Sequence, residues 1–225
     1  MLRSAWQGLL ELLYPYRCPL CSKVVADKPQ LCANCMDIFD IRFVNARILE
    51  QGHVDVLIFA THYQRIRRAL HLAKFEGNTE GIKVLSEALA QAWSEEHSRL
   101  LRDVYGIELT ASCGVIIPTD YKRRLQRGYD IPEILFGEWL RKNNIAYKNI
   151  LRRIKFTRPQ FELDRQQRRE NVLNSVDLIG DVRGLDIILL DDIFTTGASV
   201  EEAARVLRLH GAKSVTAIAF ASDVD

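Results

Sequence analysis

The sequence predicts an α/β protein: a mainly parallel sheet flanked by helices, behind a small cysteine-rich amino-terminal segment. Three observations carry that expectation. Strand and helix patterns alternate from residue 54 onward. The run Ile187-Ile188-Leu189-Leu190 is apolar at every position, as a strand buried on both faces must be. Two Cys-x2-Cys pairs lie close together before residue 36.

The elements follow in order. "SAWQGLLELLYPY" (4–16) has the pattern of a short amphipathic helix. Gln7 and Glu11 interrupt its apolar run, no small-residue cleavage site follows, and it is too short to cross a bilayer. "VDVLIFATHY" (54–63) reads as a strand, and "IKVLSEALAQAWSEE" (82–96) as one helix by its periodicity. "CGVIIPTDY" (113–121) is a short strand ending at Pro118. "IPEILFGEWLRKN" (131–143) is a helix with Pro132 in its first turn, where a missing N–H is harmless. "IILLDD" (187–192) and "SVTAIAFA" (214–221) are two more strands. Between them Val200, Ala203, Ala204 and Leu207 form an i, i+3, i+4, i+7 stripe, with Glu201, Glu202, Arg205 and Arg208 on the other side; Gly211 is placed to stop that helix. A boundary between Cys35 and Val54 divides the chain into an amino-terminal part, 1–50, and an α/β domain, 54–225.

The 225 residues suffice for one sizeable core plus an appendage. Lys and Arg number 31 against 29 Asp and Glu, so no global field dictates a partner. Basic residues do recur locally, in "RIRR", "YKRRLQR", "LRRIKFTR" and "DRQQRR". On one shared face they would track a nucleic-acid backbone, with Tyr121, Tyr129, Phe156 and Phe161 near enough to stack on unpaired bases.

Cys18, Cys21, Cys32 and Cys35 are spaced as two knuckles that converge four thiolates on one Zn2+ ion. Disulfides lack a secretory context, and redox chemistry needs a single pair. With no open position visible the metal is structural. Cys113 sits at the edge of an apolar strand and reads as core.

The most informative stretch is "LLDDIFTTGAS" (189–199). Small residues let backbone N–H groups approach an anion, and the helix that follows adds its positive end. Thr195, Thr196 and Ser199 offer hydroxyl donors. Asp191 and Asp192 stand just before that pocket and repel a phosphate, so they need sugar hydroxyls or a hydrated Mg2+ as partners. A ligand with both a phosphate and a diol meets that demand; the bland alternative is a pair of aspartates that cap the next helix.

Four apolar residues, two acids, two variable residues, Thr-Thr-Gly, a small residue and a hydroxyl resemble the phosphoribosyl pyrophosphate (PRPP) motif of type I phosphoribosyltransferases. With the cysteine knuckles, "YQRIRRALHLAKFEGN" (63–78), "IIPTDYKRRLQRGYD" (116–130) and "RPQFELDRQQRRENV" (158–172), nearly the whole chain resembles the competence protein F family (ComF/GntX-like). The resemblance implies a type I phosphoribosyltransferase-like domain behind a zinc ribbon, binding PRPP with Mg2+. Asp191 and Asp192 then take the catalytic place, and Thr195, Thr196, Gly197, Ala198 and Ser199 the 5-phosphate. Thr119, Arg124, Arg127 and Gly128 become candidates for the pyrophosphate. Gln160, Arg168 and Asn171 become candidates on a loop that closes over the ligand, where the plain alternative is an exposed loop. It further implies a cytoplasmic role in DNA uptake and natural transformation, with single-stranded DNA and other competence proteins as partners. Two activities fit: phosphoribosyl transfer with release of pyrophosphate, or a non-catalytic single-stranded-DNA-binding module regulated by PRPP. The chain departs from the family where Asp130 and Ile131 replace an Asn-Gln pair.

Overall fold

The computed structural model describes residues 13–26, 28–49, 51–119, 121–155 and 165–224. The chain runs through α1 (Ala33–Met36), β1 (Phe39–Val44), β2 (Val56–His62), α2 (Tyr63–Phe75), α3 (Glu80–Ala92), α4 (Glu95–Tyr105), β3 (Cys113–Ile116), α5 (Tyr121–Arg127), α6 (Ile131–Lys142), β4 (Ala146–Tyr147), β5 (Leu151–Arg153), α7 (Arg165–Val172), β6 (Val176–Leu178), β7 (Asp186–Phe194), α8 (Ala198–Leu209) and β8 (Ser214–Ser222). The main sheet has the order β1-β2-β8-β7-β3-β4. All its pairings are parallel except β1 with β2. β5 and β6 form a separate antiparallel ribbon.

Side-chain alternation along each strand builds two cores, one per face. Ile58, Ile188, Leu190, Ile218 and Phe220 pack toward α2, α3 and α6 with Ile66, Leu70, Leu85, Phe136 and Trp139. Leu57, Phe59, Val115, Ile187, Leu189 and Ala217 pack toward α8 with Val200, Ala203, Ala204 and Leu207. The four residues Ile187 to Leu190 are 1 % exposed or less, as a doubly covered parallel strand requires.

Two of the expected helices differ from the sequence expectation. The single helix expected over 82–96 is two. Trp93 turns to an extended backbone (ψ 106°), and Ser94 begins α4, its N–H donating to His97 Nδ1 at 3.0 Å. The reason is that Trp93 is 4 % exposed and packs edge-on against Trp139, so the chain gives up helix continuity to bury the indole. Further on, α8 does not hold Glu201 and Glu202 on a solvated side; they are 2 % and 3 % exposed. Glu201 Oε1 accepts from Gln51 N at 3.3 Å, and Glu202 takes a bidentate bond from Arg205. Glu201 is covered by a segment remote in sequence, which helical periodicity does not register, whereas Glu202 is paired within its own helix.

The cysteine knuckles are joined to this core. Cys18 and Leu31 are buried within the first cluster, and Leu20, Cys32 and Cys35 pack against it. Pro19 lies so close to Gly81 of α3 that an added Cβ there would sit 2.9 Å from Pro19 Cβ. β1 continues from the second knuckle straight into the main sheet.

Candidate functional site

β7 carries its apolar run into Asp191 and Asp192 and continues to Phe194, so the loop expected after the acids is a tight turn, Thr195 to Gly197. Ala198 and Ser199 are already the first residues of α8. Gly197 holds the turn in the left-handed region (φ +77°). A Cβ there would also meet Leu49 Cδ2 at 2.3 Å and Phe194 at 2.9 Å. Gly197→Ala is therefore expected to cost roughly 2–4 kcal/mol, from left-handed strain plus overpacking. A chemical-denaturation curve superimposable on wild type would contradict this.

A small cavity opens at the turn, lined by Asp191, Thr195, Gly197, Ala198 and Ser199. The first N–H groups of a helix have no intrahelical acceptor, and they carry the positive end of the helix dipole. Thr196 Oγ1 is fully buried and has no hydrogen-bond partner among the described residues. A buried hydroxyl without a partner costs about 1–3 kcal/mol. Thr196 does not itself line the cavity, so its hydroxyl would meet an anion there only by turning toward it.

The two acids have different surroundings. Asp192 N donates to Asp191 Oδ1 at 2.9 Å, and Ile193 N donates to Asp192 Oδ1 at 3.0 Å. Lys74, near the end of α2, places Nζ 2.6 Å from Asp192 Oδ2. Burial, then the neighbouring Asp192 charge, push the Asp191 carboxyl well above the usual carboxylate range. Burial acts the same way on Asp192, but the Lys74 ammonium outweighs it by charge and by hydrogen bond and holds this carboxyl low. The two carboxyls are thus pushed in opposite directions, Asp191 by burial toward its neutral form and Asp192 by Lys74 toward its ionised form. The pair supplies the hard oxygen donors that suit Mg2+, with one positive charge already present.

Lys74 is the residue that the sequence reading missed. The stripe Ile66, Ala69, Leu70 and Ala73 marks an amphipathic helix and fixes which way α2 faces, but no local signal links its lysine to Asp192.

The remaining candidates fall around this centre. Thr119 lies in the half-exposed loop after β3, and Arg153 Nε donates to the neighbouring Pro118 carbonyl at 3.0 Å. Arg124 pairs with the buried Asp130 at 3.4 Å. Arg127 Nε donates to the Lys74 carbonyl at 3.0 Å, so it caps α2. Gly128 takes a positive φ of 79° and closes α5. Of the two residues that depart from the family pattern, Asp130 anchors Arg124 and Ile131 is buried core. The segment expected as a loop over 158–171 contains a helix, α7. Asn171 is half-buried on it; Gln160 and the Arg168 side chain lie outside the described residues.

Some of the recurrent basic residues are engaged within the chain among the described residues. Arg65 donates to the carbonyls of Asp37 and Ile38, and Arg152 pairs with Asp177. Arg67 and Arg68 remain exposed on α2.

At the other end, the sulfur atoms of Cys18, Cys21, Cys32 and Cys35 all lie within 4.8 Å of one another. A tetrahedral zinc with Zn–S bonds of about 2.3 Å needs sulfurs about 3.8 Å apart, so the four thiols fit one ion. Burial raises the Cys18 thiol, but N–H groups of Cys32, Cys21 and Leu20 outweigh it and bring it to about 7, while burial and the neighbouring thiols push Cys35 up, as expected of close thiols that share one site. Burial raises Cys113, as expected of a core thiol. Among the described residues, no helix is long and apolar enough to cross a membrane.

Comparison with known proteins agrees with both ends. The phosphoribosyl transferase domain family matches residues 149–224, and the double zinc ribbon domain family matches residues 9–46. The chain is 26% identical over 205 residues to the DNA utilization protein YhgH of Salmonella typhimurium, covering 88% of this chain and 86% of that one. It is 30% identical over 105 residues to competence protein F of Haemophilus influenzae, covering 44% and 45%. Among solved structures, the glutamine PRPP amidotransferase of B. subtilis aligns at 21% identity and a TM-score of 0.38, over 63% of this chain and 28% of that one. That likeness is too distant to bear on function. With both domains matched in this order and a relative aligned over most of its length, the chain has a phosphoribosyltransferase-type domain behind a double zinc ribbon and is similar to the competence protein F-like proteins.

Proposed function

We propose that this protein binds PRPP at the carboxyl end of β7 and transfers its phosphoribosyl group to a nucleophile with release of pyrophosphate, in the cytoplasm and in the service of DNA uptake. The observation that carries the reading is the buried, unpartnered Thr196 hydroxyl in the turn that opens α8. A helix N-terminus alone is a common feature; one joined to an orphan donor and preceded by two acids matches a phosphate linked to a diol. In this reading Thr195 to Ser199 hold the 5-phosphate, and Asp191 and Asp192 orient the ribose hydroxyls. Mg2+, when bound, neutralises the diphosphate that leaves. The C1–O bond to the diphosphate breaks as the acceptor bonds to C1, so the chain's own contribution is positioning and charge placement. Calorimetric titration of PRPP, with and without Mg2+, tests the binding. Pyrophosphate release in the presence of candidate amine or base acceptors tests the transfer.

A second reading, a single-stranded-DNA-binding module with PRPP as regulator, is favoured by the outward side of α2. Arg67, Arg68 and His71 are exposed there, and Phe75 is 70 % exposed beside Lys74. The expected result is weak binding to oligothymidylate that falls steeply with salt. Replacing Arg67 and Arg68 by Ala together should flatten the log–log salt slope by roughly 0.7 per lost phosphate contact. Binding that ignores salt, or a slope unchanged in the double variant, counts against this surface.

A further inference from the structure

Lys74 lies outside the phosphate-turn motif, yet among the described residues it is the cation paired with the acids. Its position is fixed from several directions. Ile66, Ala69, Leu70 and Ala73 bury one side of α2 and set the helix rotation. Three bonds then hold the carbonyls of its last turn: Arg127 Nε to Lys74 O at 3.0 Å, Tyr129 Oη to Ala73 O at 2.5 Å, and Asn78 N to Leu72 O at 3.2 Å. The ammonium is thus delivered to Asp192 by a helix end tied to the α5–α6 connection. Two adjacent part-buried carboxylates offer the hard oxygen ligands that divalent cations use.

We propose that Lys74 is a tethered counter-ion that takes, on Asp192, the place of a divalent cation, so that the ligand-free protein keeps its acid pair free of metal and admits Mg2+ only with the diphosphate of its ligand. The role rests on the PRPP reading above. It makes Lys74 a positioning residue that sets when metal enters.

The test is Mn2+ titration of the zinc-loaded full chain, without PRPP, followed by electron paramagnetic resonance. Lys74→Gln is expected to bind Mn2+ at least tenfold tighter than wild type, and Lys74→Arg to bind as weakly as wild type. Adding Asp192→Asn to Lys74→Gln should abolish the gain. Zinc content and melting curves check that each variant folds; Lys74→Met carries the test if Lys74→Gln does not. An affinity within twofold of wild type in the folded variant, or a gain that survives Asp192→Asn, overturns the proposal. PRPP calorimetry on the same proteins separates the two ideas. A Mn2+ gain in a protein whose wild type binds no PRPP supports the counter-ion and sinks the ligand assignment. PRPP binding without any Mn2+ gain does the reverse.

Discussion

Cys32→Ser is expected to leave the protein without zinc and to unfold more than the ribbon. Metal binding in small cysteine sites supplies on the order of 10 kcal/mol of folding free energy, comparable to the whole stability of an ordinary domain. In a ribbon hung on a linker, that loss would stay local. Here Cys18 and Leu31 belong to the core cluster that also holds Ile66, Leu85 and Phe220, and Pro19 seats directly on Gly81. The second knuckle leads into β1, which pairs with β2 along the edge of the main sheet. Losing the metal therefore exposes one side of α2 and α3. Wild-type protein should carry close to one zinc per chain. The variant, or wild type treated with a strong chelator, should lose its cooperative melting transition or melt far lower. Metal analysis finding no zinc in protein prepared without chelators would refute this. A chelated protein that melts as the wild type does would show that the knuckles are an independent appendage.

The second large effect concerns the acid pair. Replacing Asp191 and Asp192 together by Asn should weaken PRPP about 100-fold or more, because hydrogen bonds to charged groups are worth roughly 1.5–3 kcal/mol each and about 1.4 kcal/mol is tenfold in affinity. The sequence alone suggests that amides would relieve repulsion at the strand end and leave stability equal or higher. The Lys74 bond changes that expectation residue by residue. Asp191→Asn alone should hold or raise the melting temperature, since it removes a carboxyl that burial and Asp192 already disfavour. Asp192→Asn should lower stability by roughly 1–2 kcal/mol, since Lys74 then keeps a part-buried ammonium without its counter-charge. Thr196→Val should also weaken PRPP, by removing a donor, with its Mg2+ dependence unchanged. The measurements are calorimetry and melting curves on the single and double variants. Undiminished PRPP affinity in the double variant would remove this turn as the site. Unfolding of Asp191→Asn would make the acids structural caps.

Features that depend on neighbours in sequence were legible. The four cysteines declare a metal because their ligand spacing is local. Four apolar residues before two acids declare a doubly buried strand with a polar end, and Thr-Thr-Gly declares the turn, because each constraint spans only a few residues of backbone. Gly197 could be seen as a turn glycine; that Leu49 presses on it from the other side could not.

The tertiary structure decided the rest, for one physical reason: the partners come from segments far apart in the chain. Lys74 meets Asp192 only because β2 and β7 lie in one parallel sheet, with β8 between them, and α2 leaves the same end of that sheet. Glu201 lies among charged residues in sequence, yet it is buried against the Gln51 backbone, 150 residues away. Arg127 belongs to a run that reads as a solvated basic surface, yet it caps a helix that begins more than fifty residues earlier (Tyr63). Charge in the sequence fixes what a side chain can bond to. Whether its partner is solvent, ligand or another segment of the chain is set by which strand ends the topology brings together.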